Sequence, residues 1–307
     1  MDRREFIKRC ISMAAIASVS PLLKSKTLLG SPREKDMTKT PDLIAIRNGE
    51  PDKMFDTAIK KMGGIEAFVK KGQTVVVKPN IAWNSEPEGG ACTNPILVKR
   101  VVEHCIHAGA KKVYVFDHTC HDWESTYKVS GIEKAAKDAG AIVVPAHAES
   151  YYEEVRIPGA HTLKTTKVHE LILDADVFIN VPILKHHGST LMTGAMKNLM
   201  GVVFDRGFYH RIDLHGCITE FCLYRKPDLN IVDAYYVMTQ NGPMCYNREF
   251  ITKKMMQLIS TDIVAIDAAA SKILGRDPQD VKHIVYGNER GLGIMELERL
   301  NIERIVL

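Results

Sequence analysis

Residues 73–117 read QTVVVKPNIAWNSEPEGGACTNPILVKRVVEHCIHAGAKKVYVFD, and this stretch decides the fold. QTVVVKP (73–79) is a short run of β-branched apolar residues, the pattern of a strand buried on both faces. NPILVKRVVEHCIHAG (94–109) predicts a helix, with Asn94 as its cap, Pro95 in the first turn and Gly109 beyond its end. Cys105 falls on its apolar side and reads as core. KKVYVFD (111–117) predicts a second strand. Strand, helix, strand within 45 residues is a parallel crossover unit.

The alternation continues outward. SGIEKAAKDAG (130–140) predicts a helix opened by Ser130 and Glu133 in capping-box spacing. AIVVPA (141–146), DVFINVPIL (176–184) and DLNIVDAYYVM (228–238) read as strands. STDIVAIDAAASKILG (260–275) reads as a helix, and a shorter one starts at Asp277-Pro278. The predicted fold is therefore α/β: a mainly parallel sheet flanked by helices. Residues 182–226 break the alternation and predict an insertion or a second, smaller lobe. The expected division is a leader over 1–30, a linker over 31–41 and one domain over 42–307.

The 307 residues are 45% hydrophobic and 25% charged, which excludes a disordered or collagen-like chain. No run of about 18 apolar residues occurs, so no ordinary membrane-spanning helix is expected. The net charge of +4 comes from the leader. Residues 1–30 hold six basic and two acidic residues, and the remainder holds 35 of each. A basic face for nucleic acid has no support in these totals.

The leader begins MDRREFIKRC and continues ISMAAIASVSPLL, a basic region followed by a short apolar stretch. Arg3-Arg4-Glu5-Phe6-Ile7-Lys8 resembles the twin-arginine export motif, with Asp2 where Ser or Thr is usual. The resemblance implies passage of a folded chain through that export machinery, to the periplasm or to a membrane anchor facing it. No clear A-x-A cleavage site follows. Membrane attachment is expected only through an uncleaved leader.

Ligands of open parallel sheets sit beyond the carboxyl ends of the strands, so the residues after each strand carry the functional reading. Lys78 and Asn80 flank Pro79 before a long loop containing Gly89-Gly90, and such a pair can hold an anionic oxygen. Asp117, His118, Cys120 and His121 lie within one short loop. Two imidazoles, a thiol and a carboxylate suit a divalent metal, zinc or iron by donor type; a solvated polar loop is the other reading. His186 and His187 are an alternative metal pair.

The densest stretch is INVPILKHHGSTLMTGAMKNLMG (179–201). It carries Asn180, Lys185, His186, Lys197 and Asn198. Two lysines near a strand end and a helix start can cradle phosphate or carboxylate. A partly desolvated lysine, or His186, can move protons. Asp205, Arg206, His210 and Arg211 follow in a loop that faces either the same cleft or solvent. Asp267 lies among apolar residues of the last long helix, where a carboxylate needs a partner. The familiar phosphate-loop, serine-elbow and zinc-helix signatures are absent. Six cysteines lie in the body, with no C-x-x-C, so disulfides are allowed but a ferredoxin-type iron–sulfur cluster is not expected.

The segments VVVKPN, VFINVPILKHH, TGAMKNLMG, LNIVDA and TDIVAIDAAASKILG, in this order, resemble the domain-of-unknown-function 362 family. Members are often exported by the twin-arginine route, and some carry a ferredoxin-like cluster segment that this chain lacks. Lys78, Asn80, Asn180, Lys185, His186, Lys197, Asn198 and Asp267 match recurring motifs of the family. The resemblance implies where a site lies more than what it does.

The sequence thus supports an exported enzyme acting on an anionic small molecule, with Lys185, His186 and Lys197 in the chemistry. Lys78, Asn80, Asn180, Asn198 and Asp267 would hold the ligand. Metal assistance at Asp117, His118, Cys120 and His121 stays open. The competing readings are a non-catalytic binder of a small molecule or metal, and a redox protein.

Overall fold

A computed structural model describes residues 40–307; the leader and most of the linker lie outside the described residues. The first elements are β1 (Leu43–Arg47), α1 (Pro51–Lys61), β2 (Thr74–Pro79), α2 (Pro95–His107) and β3 (Lys112–Val115). Then come α3 (Trp123–Val129), α4 (Ile132–Asp138), β4 (Ile142–Val143), β5 (Tyr152–Arg156) and β6 (Thr165–His169). The middle holds α5 (Glu170–Asp174), β7 (Val177–Val181), β8 (Lys185–His187), β9 (Leu191–Thr193) and α6 (Ala195–Asn198). The chain ends with α7 (Arg206–Arg211), α8 (Leu214–Tyr224), β10 (Leu229–Met238), β11 (Ile251–Ser260), α9 (Ile263–Ile273), α10 (Lys282–Glu289) and β12 (Ile302–Val306).

Eight strands form the central sheet in the order β12-β1-β11-β10-β7-β2-β3-β4. Only β11 runs against the rest, pairing antiparallel with β1 and β10. The mainly parallel α/β sheet expected from sequence is therefore present. The chain leaves β2 toward β3 and β4, then returns through β7 on the other side of β2. The boundary between β2 and β7 is the switch point, where an open parallel sheet leaves a crevice at its carboxyl edge.

Alternation along each strand separates two cores. Val75, Val77, Ile179 and Ile231 face one core with Met54 and Phe55 of α1 and Leu97, Val98 and Val101 of α2. Val76, Phe178 and Val232 face the other with α6, α8 and α9. Burying each such side chain contributes roughly 1.5–3 kcal/mol. Helix α2 begins as expected, with the Asn94 side chain accepting from the Ile96 N–H at 3.0 Å.

Of the two forms expected for 182–226, the structure has the insertion. Met192, Met196, Leu199, Tyr209 and Phe221 pack into the same core as Phe178 and Val232, so no separate lobe arises. Two local expectations change. The capping box at Ser130 gives way to Gly131 in a left-handed conformation, because α3 ends at Val129 and the chain must turn into α4. The strand expected over 141–146 shortens to Ile142–Val143, since it lies at the sheet edge with one neighbour.

Candidate anion-binding cleft

The inner face of the sheet carries a polar row. Lys78 on β2 lies in register with Asn180 on β7, which lies in register with Asn230 on β10. Asn80 Nδ2 donates to Asn198 Oδ1 at 2.9 Å, and Asn198 Nδ2 donates to Asn180 Oδ1 at 2.9 Å. Asn180 Nδ2 in turn donates to Asn230 Oδ1 and to the Ala195 carbonyl, each at 3.0 Å. These amides tie three strand ends to α6. Of the four, Asn80 and Asn198 also line the cleft above; Asn180 is fully buried beneath it.

Lys78 is fully buried and forms a 2.8 Å ion pair with the buried Asp117. Its Nζ also donates to the Pro79 carbonyl at 2.8 Å. Asp117 Oδ2 accepts from the Ile81 N–H at 2.6 Å. Burial lowers the pKa of Lys78, and the Asp117 charge opposes that shift. Gly201 closes this end: a Cβ there would lie 1.8 Å from Asp117 Oδ1. Lys78 was expected to hold ligand; the structure gives it a protein carboxylate instead.

Beyond this pair lies a cleft of about 400 Å³ at the carboxyl ends of β2, β3 and β7. Its walls include Lys185, His187, Thr193, Lys197, Trp83 and Met200, with Arg206, His210, His118 and Cys120 also contributing. Lys185 is 1% exposed and Lys197 9% exposed. Among the described residues neither finds a carboxylate within 4.0 Å. Lys185 Nζ donates to the Ala91 carbonyl at 2.5 Å, with Asn80 Oδ1 at 3.4 Å. The nearest polar contact of Lys197 Nζ is the Met200 sulfur at 3.4 Å. Burial pushes the pKa of both ammonium groups down to about 8, and at Lys197 the neighbouring Lys185 adds to the shift.

Strand β8 sorts the two adjacent histidines. Successive side chains on a strand point to opposite faces, so Lys185 and His187 share a side and His186 does not. His187 lines the cleft, while His186 Nδ1 accepts from the Gly242 N–H at 3.1 Å, outside it. His186 was expected to act on the ligand; the cleft residue is His187. Burial first, then Lys197 and Lys185, drives the His187 pKa down to about 2. Its Nδ1 accepts from the Ser189 N–H at 3.1 Å.

The metal expectation at 117–121 is corrected by geometry. Among the described residues no three His, Cys, Asp or Glu groups converge to hold an ion. Asp117 faces Lys78, and His118 Nδ1 contacts the Val203 carbonyl at 3.1 Å. Cys120 lies at 3.3 Å from Arg206 Nη1, and His121 accepts from the Asn84 N–H at 3.3 Å while its ring meets Trp83 edge-on. The six body cysteines are free thiols spread through the domain.

Asp267 also lies away from the cleft. Both its oxygens accept from the start of α6, from the Ala195 N–H at 2.5 Å and the Met196 N–H at 2.9 Å. Burial raises its pKa to about 7 against these two donors. The carboxylate orients the short helix that carries Lys197 and Asn198.

Arg206 and His210, left undecided between cleft and solvent by sequence, both line the cleft. Arg206 Nη1 donates to the His118 carbonyl at 2.8 Å and Nη2 to the Thr119 carbonyl at 2.7 Å, fixing the loop after β3. Thr193, which opens the TGAMKNLMG motif, completes the wall together with Trp83 and Pro243, and those two carry no motif that marks them in advance.

The fold and site define an α/β protein with a cationic cleft at the switch point of a mainly parallel sheet. The chain belongs to the family described as a domain of unknown function (DUF362), whose match spans residues 75–272. A thylakoid-associated protein of Synechocystis is 25% identical over 244 residues, covering 77% of this chain and 74% of the relative. Among solved structures, a lactate racemase apoprotein from Thermoanaerobacterium thermosaccharolyticum matches 88% of this chain with a TM-score of 0.43 at 13% identity. A protein from Thermotoga maritima matches 74% with a TM-score of 0.48, also at 13% identity. The chain spans 60% and 59% of those two chains.

Proposed function

We propose that this chain is an enzyme that holds a small anion in the cleft and moves protons on it. The observation that carries the reading is the pair of buried lysines without a carboxylate partner, at the carboxyl ends of the strands. A buried charge without a counter-charge is costly, and a bound anion removes that cost. Lysines near pKa 8 are also matched to proton transfer close to neutral pH. In this reading Lys185 and Lys197 hold the anion and exchange the proton. His187 donates a hydrogen bond, and Asn80 and Asn198 keep the strand ends in place.

The test is a thermal-shift screen of small carboxylates and phosphorylated compounds on the purified chain. Compounds that raise the melting temperature are then incubated in D2O and followed by proton NMR. Solvent deuterium should enter a bound compound, and Lys185→Ala or Lys197→Ala should stop it. Binding without exchange or product would leave a non-catalytic binding protein. No stabilising anion would remove the reading altogether.

The leader supports a second proposal, export by the twin-arginine route to the periplasm or its membrane face. Replacing Arg3 and Arg4 by lysine should retain the chain in the cytoplasm, as read by cell fractionation. Unchanged export would sink this proposal and leave the cleft untouched.

A further inference from the structure

The charge and donor count of the cleft specify more than an anion. Asp117 is the carboxylate on its wall, and Lys78 already neutralises it. That leaves two buried ammonium groups, Lys185 and Lys197, facing the space. The Arg206 guanidinium adds charge at the rim, but both its terminal nitrogens donate to loop carbonyls.

His187 adds a donor without adding a charge. Its Nδ1 accepts the Ser189 N–H, so that nitrogen carries no proton and the ring proton sits on Nε2. Among the described residues the ring's hydrogen bond is the one at Nδ1, which leaves Nε2 to donate, and His187 lines the cleft. Thr193, opposite Lys185 in the β8–β9 register, brings a hydroxyl to the same wall.

We propose that the cleft selects a compact, doubly charged oxyanion group, the class that includes phosphate monoesters, over a singly charged one. Lys185 and Lys197 supply the two charges, and His187 supplies a neutral N–H. The proposal rests on the anion reading above. A monoanion leaves one ammonium buried without a counter-charge; a dianion leaves none. A charged His187 would call for a third negative charge, and the Ser189 N–H on Nδ1 argues against that form.

The titratable and charged groups near His187 are Lys197 on α6, His210 on α7, and Lys185 and His186 on its own strand β8, with His186 pointing to the other side of that strand. All but Lys197 and Lys185 are histidines, so the positive field at the ring comes mainly from the two lysines.

Isothermal titration of the purified chain at pH 7 and fixed ionic strength tests the proposal with sulfate, malonate and acetate. Sulfate or malonate should bind at least tenfold more tightly than acetate. Sulfate ahead of malonate identifies a tetrahedral head; the reverse order identifies a dicarboxylate. Lys197→Met should erase the tenfold preference, with its melting curve confirming a folded protein. His187→Gln, which can place an N–H near the Nε2 position, should retain more sulfate affinity than His187→Asn. Equal affinity for all three anions would overturn the selectivity and leave the anion reading standing. No binding by any of them would overturn both.

Discussion

The two ends of the cleft use the same residue type for opposite purposes. At one end Lys78 is buried against Asp117, and the pair is closed by Gly201. At the other, Lys185 and Lys197 are also buried but line open space. The first arrangement is internally balanced, so its disturbance is paid in stability. The second is unbalanced in the protein alone, so its cost is relieved by whatever binds. Burial of a lysine therefore does not by itself mark function; in the proposed reading it is the absence of a carboxylate beside it that leaves room for a ligand.

The largest expected effect comes from breaking the balanced end. Asp117→Asn leaves Lys78 fully buried with no counter-charge and should destabilise the fold by about 3–5 kcal/mol. Gly201→Ala drives a methyl into the same carboxylate and should act in the same direction. Urea unfolding of the purified chain measures both. A loss below about 1 kcal/mol for Asp117→Asn would mean that water or a rearranged neighbour replaces the pair.

The unbalanced end predicts a change of opposite sign. Lys197→Met removes a buried charge while keeping much of the side-chain volume, and should stabilise the ligand-free chain by about 1–3 kcal/mol at pH 7. The gain should depend on pH. Lys197 has a pKa of about 8 in the fold against an ordinary 10.5, so between those values the unfolded chain holds a proton that the folded chain has released. Stability of the wild type then rises with pH relative to Lys197→Met, and the difference closes toward pH 10.5. A difference that stays constant from pH 7 to 10.5 would show that Lys197 keeps its ordinary pKa and stays protonated in the folded chain as in the unfolded one.

Much of this arrangement was legible before the structure. Buried-strand patterns located β2, β3, β7 and β10, and the strand-end rule then pointed to Lys78, Asn80, Lys185, Lys197 and Asn198. The reversed β11 was not legible, because the first part of its pattern is exposed and, although β10 directly precedes it in the chain, its other neighbour β1 is distant in sequence. Asp267 and Asn180 are polar residues in apolar runs, which fits a ligand contact and a structural bond equally. Their partners, the start of α6 and Asn230, lie up to 72 residues away. The loop after β3 has metal-like composition, yet Lys78, Val203 and Arg206 each draw one of its groups in a different direction. Spacing along a chain cannot reveal such divergence.

The choice between His186 and His187 is the finest point of the comparison and carries the smallest effect. Read as one dense polar stretch, 179–201 assigns the chemistry to His186. The two-residue period of β8 separates the two histidines, placing His187 with Lys185 and turning His186 toward Gly242. His186→Ala removes one partly buried hydrogen bond, from the Gly242 N–H, and should cost about 0.5–1.5 kcal/mol of stability. Sulfate affinity should change less than twofold, because no cleft donor is lost. His187→Ala should weaken sulfate binding several-fold more than His186→Ala does. If the two variants lost affinity equally, the loop around Gly242 and Pro243 would be holding the cleft wall in place, and the division of roles along β8 would fail.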